Sequence, residues 1–271
     1  MSLVHNMVGG GASFSAQINV TNAVPNTVVT ATSGANVFTA TADESGNASI
    51  IIKKTGTYTL TNSGRYSPSA ISIQANVLVS ARMLSVPIEY QEVTFLKSTG
   101  LQRIDTGLTG SIINELEFKI KLGESNPHII AYTDGTGANT FRLSVDVQKL
   151  FMRIADASAT GTTLLNQTDI YNIRYVKGDG FYLNGNKEGN ITKISSSTKN
   201  LPIFASQDYA TGYHYSQLEM YRGIINTTNG NHEYIPVYRK ADNVAGMFDR
   251  IAESFLTNAG SGTFVVGGNV T

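Results

Sequence analysis

Tyr209, Tyr213, His214 and Tyr215 crowd one short stretch of the chain, together with Gln207, Asp208 and Gly212. A second group, Tyr132, Asp134 and Asn139, combines the same residue types. Aromatic rings offer flat apolar faces to the C–H faces of sugar rings, while Asp, Asn and Gln exchange hydrogen bonds with hydroxyls. These nine residues, Tyr132, Asp134, Asn139, Gln207, Asp208, Tyr209, Tyr213, His214 and Tyr215, are therefore the candidate glycan contacts. A packing role competes with this one. Tyr213 and Tyr215 alternate around His214, so at least one side of that segment should be packed.

Catalytic chemistry finds less to work with. Glycoside hydrolysis needs two carboxyl groups roughly 5–9.5 Å apart across a groove. Glu115 and Glu117 share a strand face, but their alternation with Leu116 and Phe118 is that of a solvated outer face. The histidines are His5, His128, His214 and His232; no two have i, i+4 spacing, and no serine lies in a G-x-S-x-G elbow. Gly178-Asp179-Gly180 and Gly260-Ser261-Gly262 read as hairpin or bulge turns, because no helix with a phosphate-binding lysine follows them. The expectation is a non-enzyme without a cofactor.

Composition limits the partners. The 20 basic and 20 acidic side chains cancel, which leaves no broad positive field for nucleic acid. With no cysteine, disulfides and thiolate-bound zinc are excluded. No apolar run approaches the ~20 residues of a membrane-spanning helix, and MSLVHNMVGGG shows no basic-then-apolar secretory pattern.

The elements that must position the candidates read as strands. Glycine is abundant, at 26 residues, and Thr, Ser, Asn and Val recur. Residues 1–12 lack periodicity and read as a flexible arm. From 13 to 81 short strands alternate with Gly, Asn and Ser turns. Phe14, Ala16, Ile18 and Val20 share a face; strands follow at 27–32, 36–41, 48–53 and 57–61, and a last strand region at 69–79. Residues 82–87, ending in Pro87, read as a linker. Beyond it, 114–122 alternates as a long sandwich strand, with further strands at 128–132, 141–147 and 150–154.

Two stretches carry a family resemblance. VVTATSGANVFTATADESGNASIIIKKTGTYTLT, from Val28 to Thr61, resembles the Ig-like repeats of phage structural proteins, with Gly46 and Gly56 in turn positions and Tyr58 as a core aromatic. IEYQEVTFLKSTGLQRIDTGL, from Ile88 to Leu108, resembles the opening of phage concanavalin/laminin-G-like domains through Leu96, Ser98, Thr99, Gly100, Gln102, Ile104, Asp105, Thr106 and Gly107. Arg103 stands where that pattern usually has an aromatic, and Lys97 where it has an acid. The segment from Tyr171 to Asn190 resembles the same domains' D-G-x-x-Y-V-N-G hairpin. YIPVYRKADNVAGMFDRIAESFLTNAGSGTFVVGG, from Tyr234 to Gly268, resembles their closing motif at Pro236, Arg239, Lys240, Gly246, Met247, Asp249, Phe255, Asn258, Gly260, Gly262, Phe264 and Gly268.

The resemblance implies an all-β chain: an arm at 1–12, a small Ig-like β-sandwich at 13–81, a linker at 82–87 and a larger concanavalin/laminin-G-like jelly roll at 88–271. It implies a bacteriophage virion component of the tail, baseplate or a surface fibre, assembled in the host cytoplasm. Other virion proteins would hold the arm and the Ig-like domain, the jelly roll would contact host surface glycans, and a symmetric homo-oligomer is the expected state. The alternatives are a purely architectural decoration or assembly protein, and a glycan hydrolase. Hydrolases of this fold show an E-x-D-x-x-E run, which Glu115-Leu116-Glu117 does not complete. Jelly rolls of this type also hold calcium on loop oxygens, for which Asp134, Asn139 and Asp208 are the candidates.

Overall fold

A computed structural model describes residues 14–61, 65–68, 70–134, 139–208 and 212–270. The arm expected at 1–12 lies outside them. Every regular element among the described residues is a strand. The chain divides into two compact units, Met1–Ile88 and Glu89–Thr271.

In the smaller unit two four-stranded sheets close on one core. One runs Ala48–Ile52, Ala16–Thr21, Leu78–Leu84, Arg65–Ser67; the other runs Asn36–Thr41, Val28–Ser33, Gly56–Thr61, Ile71–Ile73. Period-two alternation sends Ala16, Ile18 and Val20 inward against Ile50, Ile52, Val29 and Tyr58, all at most 2% exposed. Tyr58 donates its hydroxyl to the Lys54 carbonyl at 2.9 Å, so the buried ring leaves no polar atom unpaired. The first strand, Ala16–Thr21, pairs in parallel with the last, Leu78–Leu84.

Three local expectations change. The single strand region at 69–79 is two strands, Ile71–Ile73 and Leu78–Leu84, in different sheets, because Gln74-Ala75-Asn76 turns away and Asn76 Oδ1 accepts the Ser15 amide. Residues 82–84 of the expected linker belong to the last strand, where Arg82 pairs with Thr21. Gly46 has the positive φ of a turn glycine, +77°, but Gly56 does not: a Cβ there would sit 2.6 Å from Ser33 Oγ, so close approach fixes that glycine.

The larger unit is a sandwich of two sheets. The large sheet runs Asn186–Asn190, Gly180–Leu183, Ile170–Val176, Ile113–Leu122, Gln217–Thr227, Gly230–Arg239, Val244–Asp249, Ser254–Thr257; Leu96–Thr99 also pairs with Gln217–Thr227, and Tyr90–Glu92 with Gly230–Arg239. The small sheet runs Ile104–Thr109, Asn200–Ile203, His128–Thr133, Phe141–Asp146, Lys149–Ile154, Ala157–Leu164, with Ala205–Asp208 and Gly212–Tyr215 attached to His128–Thr133. Leu116, Phe118 and Ile120 of the large sheet meet Ile130, Phe141, Leu143 and Met152 of the small one in a core that excludes water. At about 25 cal/mol per Å² of apolar area, burial of such side chains drives the closure.

One residue sets the geometry of the candidate region. Phe204 is fully buried yet has φ +67°, a region that costs a bulky residue about 1–3 kcal/mol. Its amide donates to the Ile129 carbonyl at 3.0 Å, and its carbonyl accepts the Ser216 amide at 2.9 Å. The ring lies 5.1 Å from that of Phe264. The chain reverses there: Asn200–Ile203 runs antiparallel to His128–Thr133, and Ala205–Asp208 runs parallel to it.

Candidate functional site

The reversal at Phe204 launches a hairpin. Ala205–Asp208 pairs with Gly212–Tyr215 in the register Ala205↔Tyr215, Ser206↔His214, Gln207↔Tyr213, Asp208↔Gly212. On the other side the same strand pairs Ala131↔Ser206, Tyr132↔Gln207 and Thr133↔Asp208. Tyr132 of the second candidate group thus lies beside Gln207 of the first, in the adjacent strand. Tyr209 lies outside the described residues.

Strand alternation splits the group between two faces. Tyr132, Gln207, Tyr213 and Tyr215 occupy the inner one. Tyr132 is 3% exposed and belongs to the core, so it offers no stacking surface. Arg103 covers Tyr213, its guanidinium carbon 3.7 Å from the ring centroid, and donates from Nη1 to the Tyr215 hydroxyl at 3.0 Å. Arg103 Nε also holds Asp105 at 3.0 Å, and the Tyr213 and Tyr215 rings are 6.1 Å apart. The Arg103 guanidinium is held more basic than usual by the Asp105 and tyrosine oxygens, against the opposing effect of its burial. Arg103 stands where an aromatic was expected; it is the clasp that seals this face, so the tyrosines here are tied into packing.

Asp208 and His214 occupy the outer face. Asp208 Oδ2 accepts the Thr133 hydroxyl at 2.9 Å. The exposed His214 ring lies 6.4 Å from that of His128, the first residue of His128–Thr133. His128 pairs with Ser144, and Ala131 with Arg142, so the outer face continues onto Phe141–Asp146. Arg142 donates from Nε to Ser144 Oγ at 2.9 Å and lies 4.9 Å over the Phe151 ring. Arg153 stands directly opposite Arg142 in the next strand. His128, Arg142, Phe151 and Arg153 were not among the candidates. The alternation of Arg142, Ser144 and Asp146 with Phe141, Leu143 and Val145 carried the signal for the arginine, but nothing short of the strand order brings it beside His214.

Burial dominates the electrostatics of this patch. It lowers the His128 pKa from 6.5 to about 4, helped by the positive field of Arg142 and by His214, and opposed by Asp146. His128 is therefore neutral at pH 7, and its Nδ1 is buried without a hydrogen-bond partner among the described residues. Burial also lowers the Arg142 pKa; the Asp146 charge opposes that shift, and Arg153 adds to it.

The remaining candidates bond to each other and to a serine. Asp134 Oδ2 accepts the Asn139 amide at 2.8 Å, and Asn139 Oδ1 accepts the Ser196 hydroxyl at 3.0 Å. Thus the three oxygen donors considered for calcium bond to protein groups, and among the described residues no cluster of three or more His, Cys, Asp or Glu is placed to hold a metal ion. Glu115 and Glu117 sit on the outer face of the large sheet, where Glu115 binds Arg174 and Glu117 is exposed. No helix among the described residues is long and apolar enough to cross a membrane.

No protein-family model matches the chain, and no curated protein sequence matches it. Among solved structures, one of a Bacteroides ovatus protein, named for a proposed carbohydrate-binding role, is similar at a TM-score of 0.42 and 9% identity, over 95% of this chain and 94% of that one. A likeness that loose assigns nothing to this chain.

Proposed function

We propose that the chain is a non-enzymatic component of a bacteriophage virion, in the tail, baseplate or a surface fibre, and that its larger unit contacts host surface glycans. The arm and the smaller unit attach it to other virion proteins. The motif from Tyr234 to Gly268 supports the virion assignment. One observation supports the glycan contact: the hairpin built on Phe204 turns Asp208 and His214 outward beside His128, Arg142 and Phe151, which groups charged, polar and aromatic side chains on one solvent-facing sheet surface. Sugar recognition needs that mixture.

The inner-face tyrosines serve this reading as a support. Arg103 locks Tyr213 and Tyr215, and they in turn fix the backbone that presents His214. A binding group held by rigid strands loses little freedom when a ligand arrives.

The test is a glycan array probed with the purified full chain, paired with competition against particle adsorption to host cells. The expected result is binding to a limited set of host glycans, lowered by Asp208→Ala and by His214→Ala with the fold intact. A chain that binds no glycan and blocks no adsorption overturns the receptor role and favours the architectural one. Turnover of a bound glycan would overturn the non-enzymatic assignment.

A further inference from the structure

Cross-strand neighbours of like charge repel, and a β-sheet selected for stability alone avoids them. Arg142 and Arg153 are such a pair, directly opposite each other on the outer face of the small sheet. Neither forms an ion pair among the described residues. Asp146, whose charge reaches Arg142, is matched across the hairpin with Lys149. Arg142 uses Nε on Ser144 and rests on Phe151, an arrangement that fixes the guanidinium plane and leaves the two terminal nitrogens for another acceptor. The buried, unpartnered Nδ1 of His128 lies on the same face, in the register position beside Ser144. The fixed guanidinium of Arg142 and the arginine directly opposite it, with Cβ atoms about 5 Å apart as cross-strand partners are, match an anion that accepts hydrogen bonds on several oxygens.

We infer that Arg142 and Arg153, with His128 and His214 beside them, form an anion site, and that the glycan this face receives is acidic, bound through its carboxylate or sulfate groups. The inference rests on the glycan reading above and specifies its ligand. The arginines take the anion, Phe151 borders them with apolar surface, His128 links them to the His214 ring, and Asp208, bonded to Thr133 in the adjacent strand, is available for neutral hydroxyls.

The test titrates the full chain with oligogalacturonate, dextran sulfate and neutral dextran, and follows the histidine imidazole resonances during a separate titration with sodium sulfate. Variants are Arg142→Met, Arg153→Met, Arg142→Lys, and Arg174→Met on the large sheet as the control. At least one acidic polymer should bind about tenfold or more tightly than neutral dextran, since each good charge-assisted pair is worth about that factor. Preference between the two acidic polymers tells carboxylate from sulfate. Arg142→Met and Arg153→Met should each lose about tenfold, Arg142→Lys should recover part of the loss, and Arg174→Met should change nothing. Sulfate should shift the His128 and His214 resonances.

Equal binding of neutral and acidic polymers, insensitive to Arg142→Met and Arg153→Met, overturns the anion site and leaves glycan binding standing. Acidic binding weakened equally by Arg174→Met overturns it as well, because general charge would then explain the result. Sulfate-shifted histidines without binding of any polymer overturn the glycan as the ligand.

Discussion

The two outer faces of the larger unit treat their arginines in opposite ways. On the large sheet every arginine described has an acid, although Lys119, which stands opposite Arg222, and Lys121 and Lys177 form no ion pair among the described residues. Glu233, only 8% exposed, accepts Arg250 Nε at 2.7 Å on one oxygen and Arg222 on the other; Arg174 binds Glu115, Lys187 binds Asp179, and Lys97 lies 3.4 Å from Glu219. On the small sheet Arg142 and Arg153 face each other, neither in an ion pair among the described residues, beside a histidine that burial keeps neutral. The two sheets share one core and one solvent, so neither can account for the difference. Neutralised ladders suit a surface that only needs to stay folded and wet. An unneutralised one costs stability and persists where something else supplies the missing charge.

The largest effect that can break this contrast is a pH dependence. The folded His128 pKa, about 4, lies below its unfolded 6.5. The unfolded chain therefore takes up a proton first as pH falls, and stability contributed by neutral His128 is complete above pH 6.5 and lost progressively down to pH 4. The full shift corresponds to about 3 kcal/mol. Urea unfolding of wild type and His128→Gln across that range checks it: the difference between them should grow toward acid in favour of the variant. Other acids titrate in both proteins and cancel in the comparison. An anion bound at Arg142 and Arg153 should offset their positive field, raise the His128 pKa and narrow the window.

Next in size is a pair of single substitutions, one per face. Glu233→Gln leaves Arg222 and Arg250 without their shared acid and should cost about 2 kcal/mol, the range for a carboxylate that accepts several charge-assisted bonds. Arg142→Met removes one of two repelling guanidinium groups, keeps the contact with Phe151, and should leave stability within about 0.5 kcal/mol of wild type or raise it. Chemical denaturation at neutral pH measures both. Equal losses would mean that Arg142 is as well compensated as Arg222, and the contrast between faces would fall.

How much of this was legible in the sequence differs with the range of the interactions. Strand alternation is local, so the shared face of Ala16, Ile18 and Val20 and the alternation of Glu117 with Phe118 were readable, and the all-β sandwich followed from such patterns. The hairpin at Asn184-Gly185 was equally visible, and both residues have the positive φ of a tight turn, +49° and +85°. The candidate site was legible only as a list. Sequence spacing put Tyr132 and Tyr213 in one chemical class, but whether a residue faces core or solvent depends on strand pairing, which for Tyr132 and Gln207 joins positions far apart in the chain. Arg103 showed only as a departure from a motif; its role over Tyr213 is a contact between segments a hundred residues apart. Phe204 gave no signal at all, since nothing in its neighbours announces a left-handed backbone in a buried aromatic.

The smallest effect sharpens the contrast by asking whether the large sheet's pairs stabilise at all. Lys97 and Glu219 are registered partners 3.4 Å apart, with side chains 38% and 14% exposed, and Glu219 also accepts the Tyr221 hydroxyl at 3.0 Å. That hydroxyl, partly buried and facing an acid, has its pKa raised to about 12, so it remains a donor throughout the neutral range. A double-mutant cycle on Lys97→Met and Glu219→Gln should give a coupling of about 0.5 kcal/mol, because solvent screens an exposed ammonium. The coupling should vanish in molar salt. The Glu219→Gln cost that remains at high salt belongs to the Tyr221 bond, which salt does not screen. A coupling near zero at low salt as well would mean that these pairs add nothing to folding and matter only as neutralisation. The large face would then differ from the small one in what it declines to bind, and the case for anion recognition at Arg142 and Arg153 would rest on the small sheet's own geometry.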